Sequence, residues 1–410
     1  MNWDFLIKDK QSLFVTTDSR QVTPGCVFVA LKGEHFDGNE FVDQARQAGA
    51  EYIISGDNAM AELQDLARAW RRELGLPIIA ITGTNGKTTT KELTAAVLST
   101  MYNLHYTQGN YNNSLGVPLT LLQITRAHEL AIVEMGASHP GDIRELVEIA
   151  EPNYGLITNV GRAHLQGFGS FEGVQQTKAE LYDYLLAHPE TTKGIFINNA
   201  NEYLTKMLTN SALQHNINIT SPIYYNTLPM LTKTHLVGDY NAENISAALC
   251  IADHFGVKHK TAIEAIRTYH PTNNRSQQMT TDNNELVIDA YNANPTSMAA
   301  SIQSFCNELS TFDSRLSTTQ KTSAFILGEM RELGEYSHTE HQNIVNMLLE
   351  RKAEHVLLVG EEYRATTAPY PIFHDVTELS DYLHANPLKG CRILIKGSRG
   401  NQLEKIIPLL

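Results

Sequence analysis

Short apolar runs alternate with amphipathic stretches along most of the chain. After Pro77, the four largely apolar residues Ile78 to Ile81 fit a short buried strand. Thr82-Gly83-Thr84-Asn85-Gly86 breaks that strand as a tight turn. From Lys87 onward Leu93, Val97 and Met101 recur at helical spacing, with Ala96 on the same face. The alternation repeats through Leu130–Glu134, Gly155–Val160 and Gly194–Asn198, each of which reads as a strand. A helix over Asn244–Phe255 then carries Ile245, Ala248, Leu249 and Ala252 inward. From about residue 281, Leu286–Ala290, Ala324–Gly328, His355–Val359 and Arg392–Lys396 read as strands. Helices lie between them, as with Met298, Ile302, Phe305 and Leu309. Ahead of all this, a Pro24-Gly25 turn feeds a strand over Val27–Leu31, and Gly33–Asn39 is a polar loop. The pattern predicts an α/β protein of three units, at 1–77, 78–280 and 281–410. A length of 410 residues agrees with two or three domains.

The turn at residue 83 carries the first chemical signal. A strand, a glycine turn and a helix start make an anion cradle, because free backbone N–H groups and the positive end of the helix dipole converge. Gly83-Thr84-Asn85-Gly86-Lys87-Thr88-Thr89 gives G-x-x-G-K-T. Ile81 stands where the first glycine of the usual phosphate loop belongs. Lys87 would reach the β/γ-phosphates of ATP and the Thr88 hydroxyl would bind Mg²⁺; the plainer reading is a glycine-rich turn with no ligand. In a parallel sheet, residues at the strand C-termini crowd one rim, so Glu134 and His164 would face the ion held by Thr88. Taken singly, they read equally well as a strand-end acid and a loop histidine. In the third unit the rim loops are Asp289–Pro295, Glu329–Gly334 and Lys396–Gly400. In the first, Arg20 and Lys32 could hold a diphosphate, although alone they read as solvated charges.

Composition narrows the class. With 32 basic and 45 acidic residues the net charge is −13, which argues against nonspecific binding to nucleic acid or an anionic membrane. No apolar run is long enough to span a bilayer, and Met1–Lys10, interrupted by Asp4 and Lys8, does not make a signal-peptide core. Four scattered cysteines without a C-x-x-C pair point to a reduced, cytoplasmic protein with buried free thiols.

These stretches together resemble the Mur ligases, ATP-dependent amide-bond ligases of peptidoglycan precursor synthesis, from residue 17 to residue 400. The phosphate loop has the form that this family uses. Asp18-Ser19-Arg20 with Asp37-Gly38 resembles its UDP-binding N-terminal domain. Gly109–Thr120, Glu134–Ile143, Asn159–Ser170 and Tyr291-Asn292-Ala293-Asn294-Pro295 resemble the branch that adds the final dipeptide. Asn39, Asp239-Tyr240-Asn241 and Leu403-Glu404 depart from the family pattern, away from the phosphate and metal residues.

The resemblance implies a UDP-muramoyl-peptide-binding unit at 1–77, an ATP-binding P-loop unit at 78–280, and a Rossmann-like unit at 281–410 that closes over ATP and binds the incoming dipeptide. It implies UDP-N-acetylmuramoyl-tripeptide, D-alanyl-D-alanine and ATP as substrates, two Mg²⁺ ions, an acyl-phosphate intermediate and a monomer. Lys87, His164 and Lys178 would be catalytic, with Lys178 carbamylated and, beside Thr88, Glu134 and His164, supporting the metals. Gly83 to Thr89, Asn241, Asn244, Arg275 and Asp289 would hold ATP. Ser19, Arg20, Lys32, Asp37, Gly38, Asn39, Asn112, Asn113, Asn292, Asn294, Lys396, Ser398 and Arg399 would meet the other substrates. Asn241 and Asn244 read alternatively as helix caps, Arg275 as an interdomain ion pair, and Lys178 and Arg399 as surface cations. Ser337-His338-Thr339-Glu340 fits a capping box, which reads Ser337 and His341 as structural, with contact to substrate as the alternative. An open form is expected without nucleotide. The rival readings are the sister ligase adding the third amino acid, a folylpolyglutamate synthase-like ligase, a noncatalytic nucleotide-binding protein, and a P-loop kinase or GTPase.

Overall fold

The computed structural model describes residues 2–34, 36–217, 219, 222–231, 234–271, 275–312 and 322–410. Three sheets organise the described chain. The central sheet holds β4 (Ile78–Thr82), β5 (Leu104–Tyr106), β6 (Leu130–Glu134), β7 (Tyr154–Ile157), β8 (Gly194–Asn198) and β9 (Pro222–Tyr225), all parallel, in the order β5-β6-β4-β7-β8-β9. Every residue of β4, β6, β7 and β8 is buried, as the continuous apolar runs require for strands covered on both faces. The direction of sheet growth reverses at β4, so the C-terminal ends of β4, β6 and β7 open one crevice, where such folds bind ligands.

The helix after the phosphate loop spans Lys87–Leu98, one turn shorter than its periodicity suggested, and Met101 is 57% exposed. Ser99 to Tyr102 instead close a turn, with Thr100 Oγ1 donating to the Val97 carbonyl, to deliver β5. β5 and β9 are short edge strands without a fully buried run, and neither was anticipated.

A small parallel sheet, β1 (Val15–Thr16), β2 (Val27–Val29) and β3 (Tyr52–Ile54), forms the first unit. It is fixed to the centre by the helix Ala59–Leu74, whose Leu63, Leu66, Ala67 and Trp70 are fully buried. Trp70 Nε1 donates to the Ile124 carbonyl at 2.8 Å. The Arg71 guanidinium donates to the carbonyls of Ala150 and Glu151 and to Asn153 Oδ1 at 2.9–3.2 Å. One hydrophobic cluster runs from Trp3 and Val29 through Trp70 to Ile78 and Val133.

The third sheet has the order β10-β11-β15-β12-β13-β14, from β10 (Gln277–Thr280), β11 (Glu285–Asp289), β12 (Thr322–Gly328), β13 (His355–Val359), β14 (Ile372–Phe373) and β15 (Cys391–Lys396). Only β10 is antiparallel. It precedes residue 281, so this sheet begins inside the stretch that the sequence assigned to the centre; Gln277-Gln278-Met279-Thr280 is a mostly exposed edge strand with no apolar run to mark it. The helix Pro295–Phe312 packs Met298, Ile302 and Phe305 into the core, and the side chain of Leu309 lies outside the described residues. Ser337 does not form a capping box. A 3-10 turn over Gly334–Tyr336 runs directly into the helix Ser337–Glu350, and the Ser337 hydroxyl donates to Glu362 instead. His341 is fully buried, accepting from the Met330 N–H at 2.9 Å. No described helix is long and apolar enough to cross a membrane, and the four cysteines are free, Cys26 and Cys391 buried and Cys250 and Cys306 only partly so, where buried thiols were expected.

Arg71 is the most testable join between the first two units. Arg71→Ala removes the donor to the buried Ala150 carbonyl and to the part-buried Glu151 carbonyl and Asn153 Oδ1, and should destabilise the protein by about 2–3 kcal/mol. Arg72→Ala, which breaks an exposed pair with Glu151, should cost no more than about 1 kcal/mol. Chemical denaturation of the two variants measures the contrast.

Candidate functional site

A cleft of about 880 Å³ opens at the crevice and is shared between the central and third units. Its floor is the phosphate loop. Gly83 and Gly86 both have left-handed φ, +141° and +79°, and neither has room for a Cβ. One at Gly83 would lie 2.0 Å from Thr158 Oγ1, and one at Gly86 2.2 Å from Asn244 Oδ1. The N–H groups of Thr84 and Asn85 are tied to the carbonyl and side-chain oxygens of Asn159. The first helical bond is from Thr90 N–H to the Gly86 carbonyl, so the N–H groups at the helix start have no intrahelical acceptor. Lys87 Nζ folds back onto the carbonyls of Gly83 and Thr84 at 2.8 and 3.0 Å. Burial pulls its pKa down to about 8, against the raising effect of Glu134, with Arg275 lowering it further.

Glu134 ends β6 beside this loop and is 2% exposed. Its Oε1 accepts from the Thr88 hydroxyl at 3.1 Å and from Asn112 Nδ2 at 2.9 Å. Its Oε2 accepts no hydrogen bond and faces Lys91 Nζ at 3.9 Å. Lys91, itself fully buried, donates to the Thr107 carbonyl at 2.6 Å, while Glu134 N–H donates to the Thr107 hydroxyl at 3.0 Å. A hydroxyl beside a half-satisfied buried carboxylate fits Mg²⁺, which takes one or two protein oxygens and completes its shell with water and phosphate. Among the described residues no group of three or more His, Cys, Asp and Glu makes a metal cage.

His164 lies in the loop after β7, in left-handed backbone (φ 50°), and lines the cleft. Burial holds its pKa below the ordinary value, opposed by Glu332 and reinforced by Lys87 and Lys178. Its Nδ1 lies against the Glu332 carboxylate, which comes from the third unit. Lys178, in the helix Phe171–Ala187, is 2% exposed and sits behind the cleft wall, with Nζ 5.7 Å from the Phe168 ring centroid. Burial, then the charge of Lys87, hold its amine well below the usual lysine range; Asp142 and Glu180 oppose. It is not the surface cation of the plainer reading.

The third unit reaches the loop directly. Asn294 Nδ2 donates to Asn85 Oδ1 at 2.7 Å, Arg162 N–H donates to Thr296 Oγ1 at 3.1 Å, and Arg162 pairs with Glu340 at 3.0 Å. The two units therefore touch across the cleft, where an open arrangement was expected. Asn292 and Asp289 line it too. Asp289 pairs with Lys396 at 2.5 Å, because β11 and β15 are register neighbours. Arg275 lines the cleft and stacks 3.8 Å from the Tyr291 ring centroid, with Arg399 at 5.6 Å from the same ring; Arg275 is thus ring-stacked where an ion pair was the alternative.

Other expected residues take supporting places. Asn244 and Thr89 line the cleft, whereas Asn241 is fully buried and binds Asn244 Nδ2 at 2.8 Å. Neither asparagine is a cap, since both lie inside the helix Asn241–His254. Asn113 lines the cleft and accepts from Gly116 N–H. Ser398, nearly buried, accepts from Arg331 N–H. Ser19, Arg20, Lys32, Asp37, Gly38 and Asn39 do not line the cleft. Arg20 is exposed and paired with Asp18 at 2.7 Å, Asp37 accepts from Asn39 at 2.7–2.9 Å, and Asn39 accepts from Gly56 N–H. Sequence reasoning passed over Lys91, Glu332 and Tyr291 as site residues. Lys91 follows the phosphate loop by one helical turn, which places it on the same face as Lys87. Nothing local marks Glu332.

Comparison with known proteins agrees with this geometry. Residues 13–108 match the model of the Mur ligase family catalytic domain, 81–252 the Mur ligase middle domain and 274–399 the Mur ligase glutamate ligase domain. The UDP-N-acetylmuramoyl-tripeptide–D-alanyl-D-alanine ligase of Bacillus subtilis is 34% identical, covering 96% of this chain and 92% of its own. That of Escherichia coli is 33% identical, covering 97% and 93%. A crystal structure of MurF from Acinetobacter baumannii superposes with TM-score 0.80 at 26% identity, over 96% of this chain and 92% of that one. The MurF ligase of Thermotoga maritima shares the fold with TM-score 0.80 at 24% identity, over 98% of each chain.

Lys87 supplies a pH signature. With its pKa near 8, the free protein loses this ammonium as pH rises through 8, and a bound polyphosphate favours the charged form. ATP binding at pH 8.5 should therefore take up a proton, and affinity should fall as pH rises further. Calorimetry in buffers of different ionisation enthalpy reads the uptake, and an absence of uptake contradicts the assignment of Lys87 to the phosphates.

Proposed function

The chain belongs to the Mur ligase family, and on that footing we propose that its cleft joins D-alanyl-D-alanine to UDP-N-acetylmuramoyl-tripeptide at the expense of ATP. The observation that carries this reading is the meeting of the phosphate loop with the third unit in one cleft, through Asn85 and Asn294. The sister ligase and the folylpolyglutamate synthase-like enzyme gain no support of that kind, whereas relatives from Bacillus subtilis, Escherichia coli and Haemophilus influenzae, 31–34% identical over nearly the full chain, are D-alanyl-D-alanine ligases.

A free carboxylate is a poor electrophile, so the peptide's terminal carboxylate must first be activated. It attacks the γ-phosphorus of ATP, giving an acyl phosphate and ADP. The dipeptide amine then attacks the acyl carbon, and phosphate leaves from the tetrahedral intermediate. The first step brings anions together, so charge neutralisation and alignment dominate. Lys87 and the open N–H groups of its helix hold the β/γ-phosphates. Arg275, kept planar against Tyr291, approaches them from the unit junction. Asn244 and Asp289 serve the adenosine side, and Asn292 and Asn294 face the peptide and dipeptide. Thr88 and Glu134 would hold one Mg²⁺, and His164 with Lys178 a second. Bound there, the ions would neutralise charge on the phosphates and the carboxylate.

Lys178 contributes through its own chemistry. A buried amine held well below the usual range is neutral often enough to add to CO₂, with loss of one proton, forming a carbamate. That converts a cation into the anion a metal needs. The first unit would bind the UDP-muramoyl part, with Arg20 and Lys32 as the cations assigned to its diphosphate. The free cysteines fit a reducing cytoplasm.

Two measurements test the reading. Phosphate release from ATP should require the tripeptide nucleotide and be strongly stimulated by D-alanyl-D-alanine; release indifferent to the dipeptide contradicts it. Lys178→Ala should lose about 100-fold in rate and regain part of it with added formate or acetate. Full activity in that variant contradicts the carbamate.

A further inference from the structure

The contact between His164 and Glu332 joins two units and two unusual backbones. His164 has φ 50° and Glu332 φ 64°, a left-handed conformation that is unfavourable for a non-glycine residue and persists where surroundings hold it. Glu332 is held on its main chain, its carbonyl accepting from Gln166 N–H at 3.3 Å. Its side chain is 59% exposed and its carboxylate lies against His164 Nδ1. The other acidic residues of the cleft are otherwise engaged: Glu134 with Thr88 and Asn112, Asp289 with Lys396, Asp142 with the N–H groups of Ser138 and His139, Glu145 with Gln64, and Glu243 with Asn159. Glu332 is the one that the third unit sets against the histidine.

A carboxylate against Nδ1 requires a proton there, which leaves the lone pair on Nε2. Imidazoles that ligate metals are commonly fixed in this way by an outer carboxylate, which sets the tautomer and the ring orientation. We propose that Glu332 is a positioning residue that fixes His164 with its Nε2 lone pair free for a divalent cation. Because Glu332 rides on the third unit, that orientation exists only when the third unit is docked on the centre. Docking and the second metal site are thereby coupled. This rests on the reading of His164 as a metal ligand, and the experiment separates the two.

Mn²⁺ binding to the full-length protein, saturated with a non-hydrolysable ATP analogue, is followed by electron paramagnetic resonance for the wild type, Glu332→Ala and Glu332→Gln. The wild type should bind two ions. Glu332→Ala should keep the tighter site and weaken the other at least 10-fold. Glu332→Gln, whose amide oxygen still accepts from Nδ1–H, should recover most of that loss. In steady state Glu332→Ala should lower kcat while leaving KM for ATP within about two-fold. Two ions bound with unchanged affinity in Glu332→Ala overturn the inference alone. Tighter binding of the second ion overturns it too, and makes Glu332 an occluding contact. A single ion in the wild type removes the second metal site itself, and the inference with it.

Discussion

Burying a carboxylate without a full set of partners is costly, and the arrangement of the site follows from how Glu134 is accommodated. One oxygen is satisfied by Thr88 and Asn112, and the other is left facing the buried Lys91 ammonium at 3.9 Å. Thr107 braces both partners, accepting from Lys91 with its carbonyl and from Glu134 N–H with its hydroxyl. The end of β6, the edge of β5 and the phosphate-loop helix are locked together by these few bonds. A cation held by Thr88 and Glu134, as proposed above, would supply the partner that the second Glu134 oxygen lacks.

The sheets were readable where burial is two-sided. β4, β6 and β7 are largely apolar runs, and their C-terminal ends placed Lys87, Thr88, Glu134 and His164 on one rim before any coordinates. Edge strands such as β5 and β10 lack that signal, because their residues are only partly covered, and β10 crossed the expected boundary for that reason. Met101 showed the opposite failure. Its spacing matched the helix, but the chain had already turned. At the site, motif spacing singled out Glu134, Asn244 and Asn294, which contact the phosphate loop or its helix, but passed over Thr158 and Asn159, which bind the loop's backbone. It did not find Glu332, whose relevance depends on a contact between units far apart in sequence. It also did not reveal that Lys396 and Asp289 neutralise one another, which needs the register of β11 with β15.

Each unit contributes something the others lack. The centre supplies the phosphate cradle and the carboxylate. The third unit brings Asn294 to Asn85 and sets Tyr291 as a platform for Arg275, holding a guanidinium flat while its N–H edge stays available. The first unit is anchored through Trp70 and Arg71 to the loops behind the sheet, at a distance from the cleft's floor. A long substrate that reaches from the first unit to the phosphate loop would place its carboxylate where the loop, Glu134 and His164 converge.

The acyl phosphate is the species on which this account turns, and hydroxylamine trapping tests it most directly. With ATP and UDP-N-acetylmuramoyl-tripeptide but no dipeptide, the wild-type protein should yield a hydroxamate at the peptide's terminal carboxylate, and Glu134→Ala should yield almost none. Phosphate release from ATP without any hydroxamate would contradict the account.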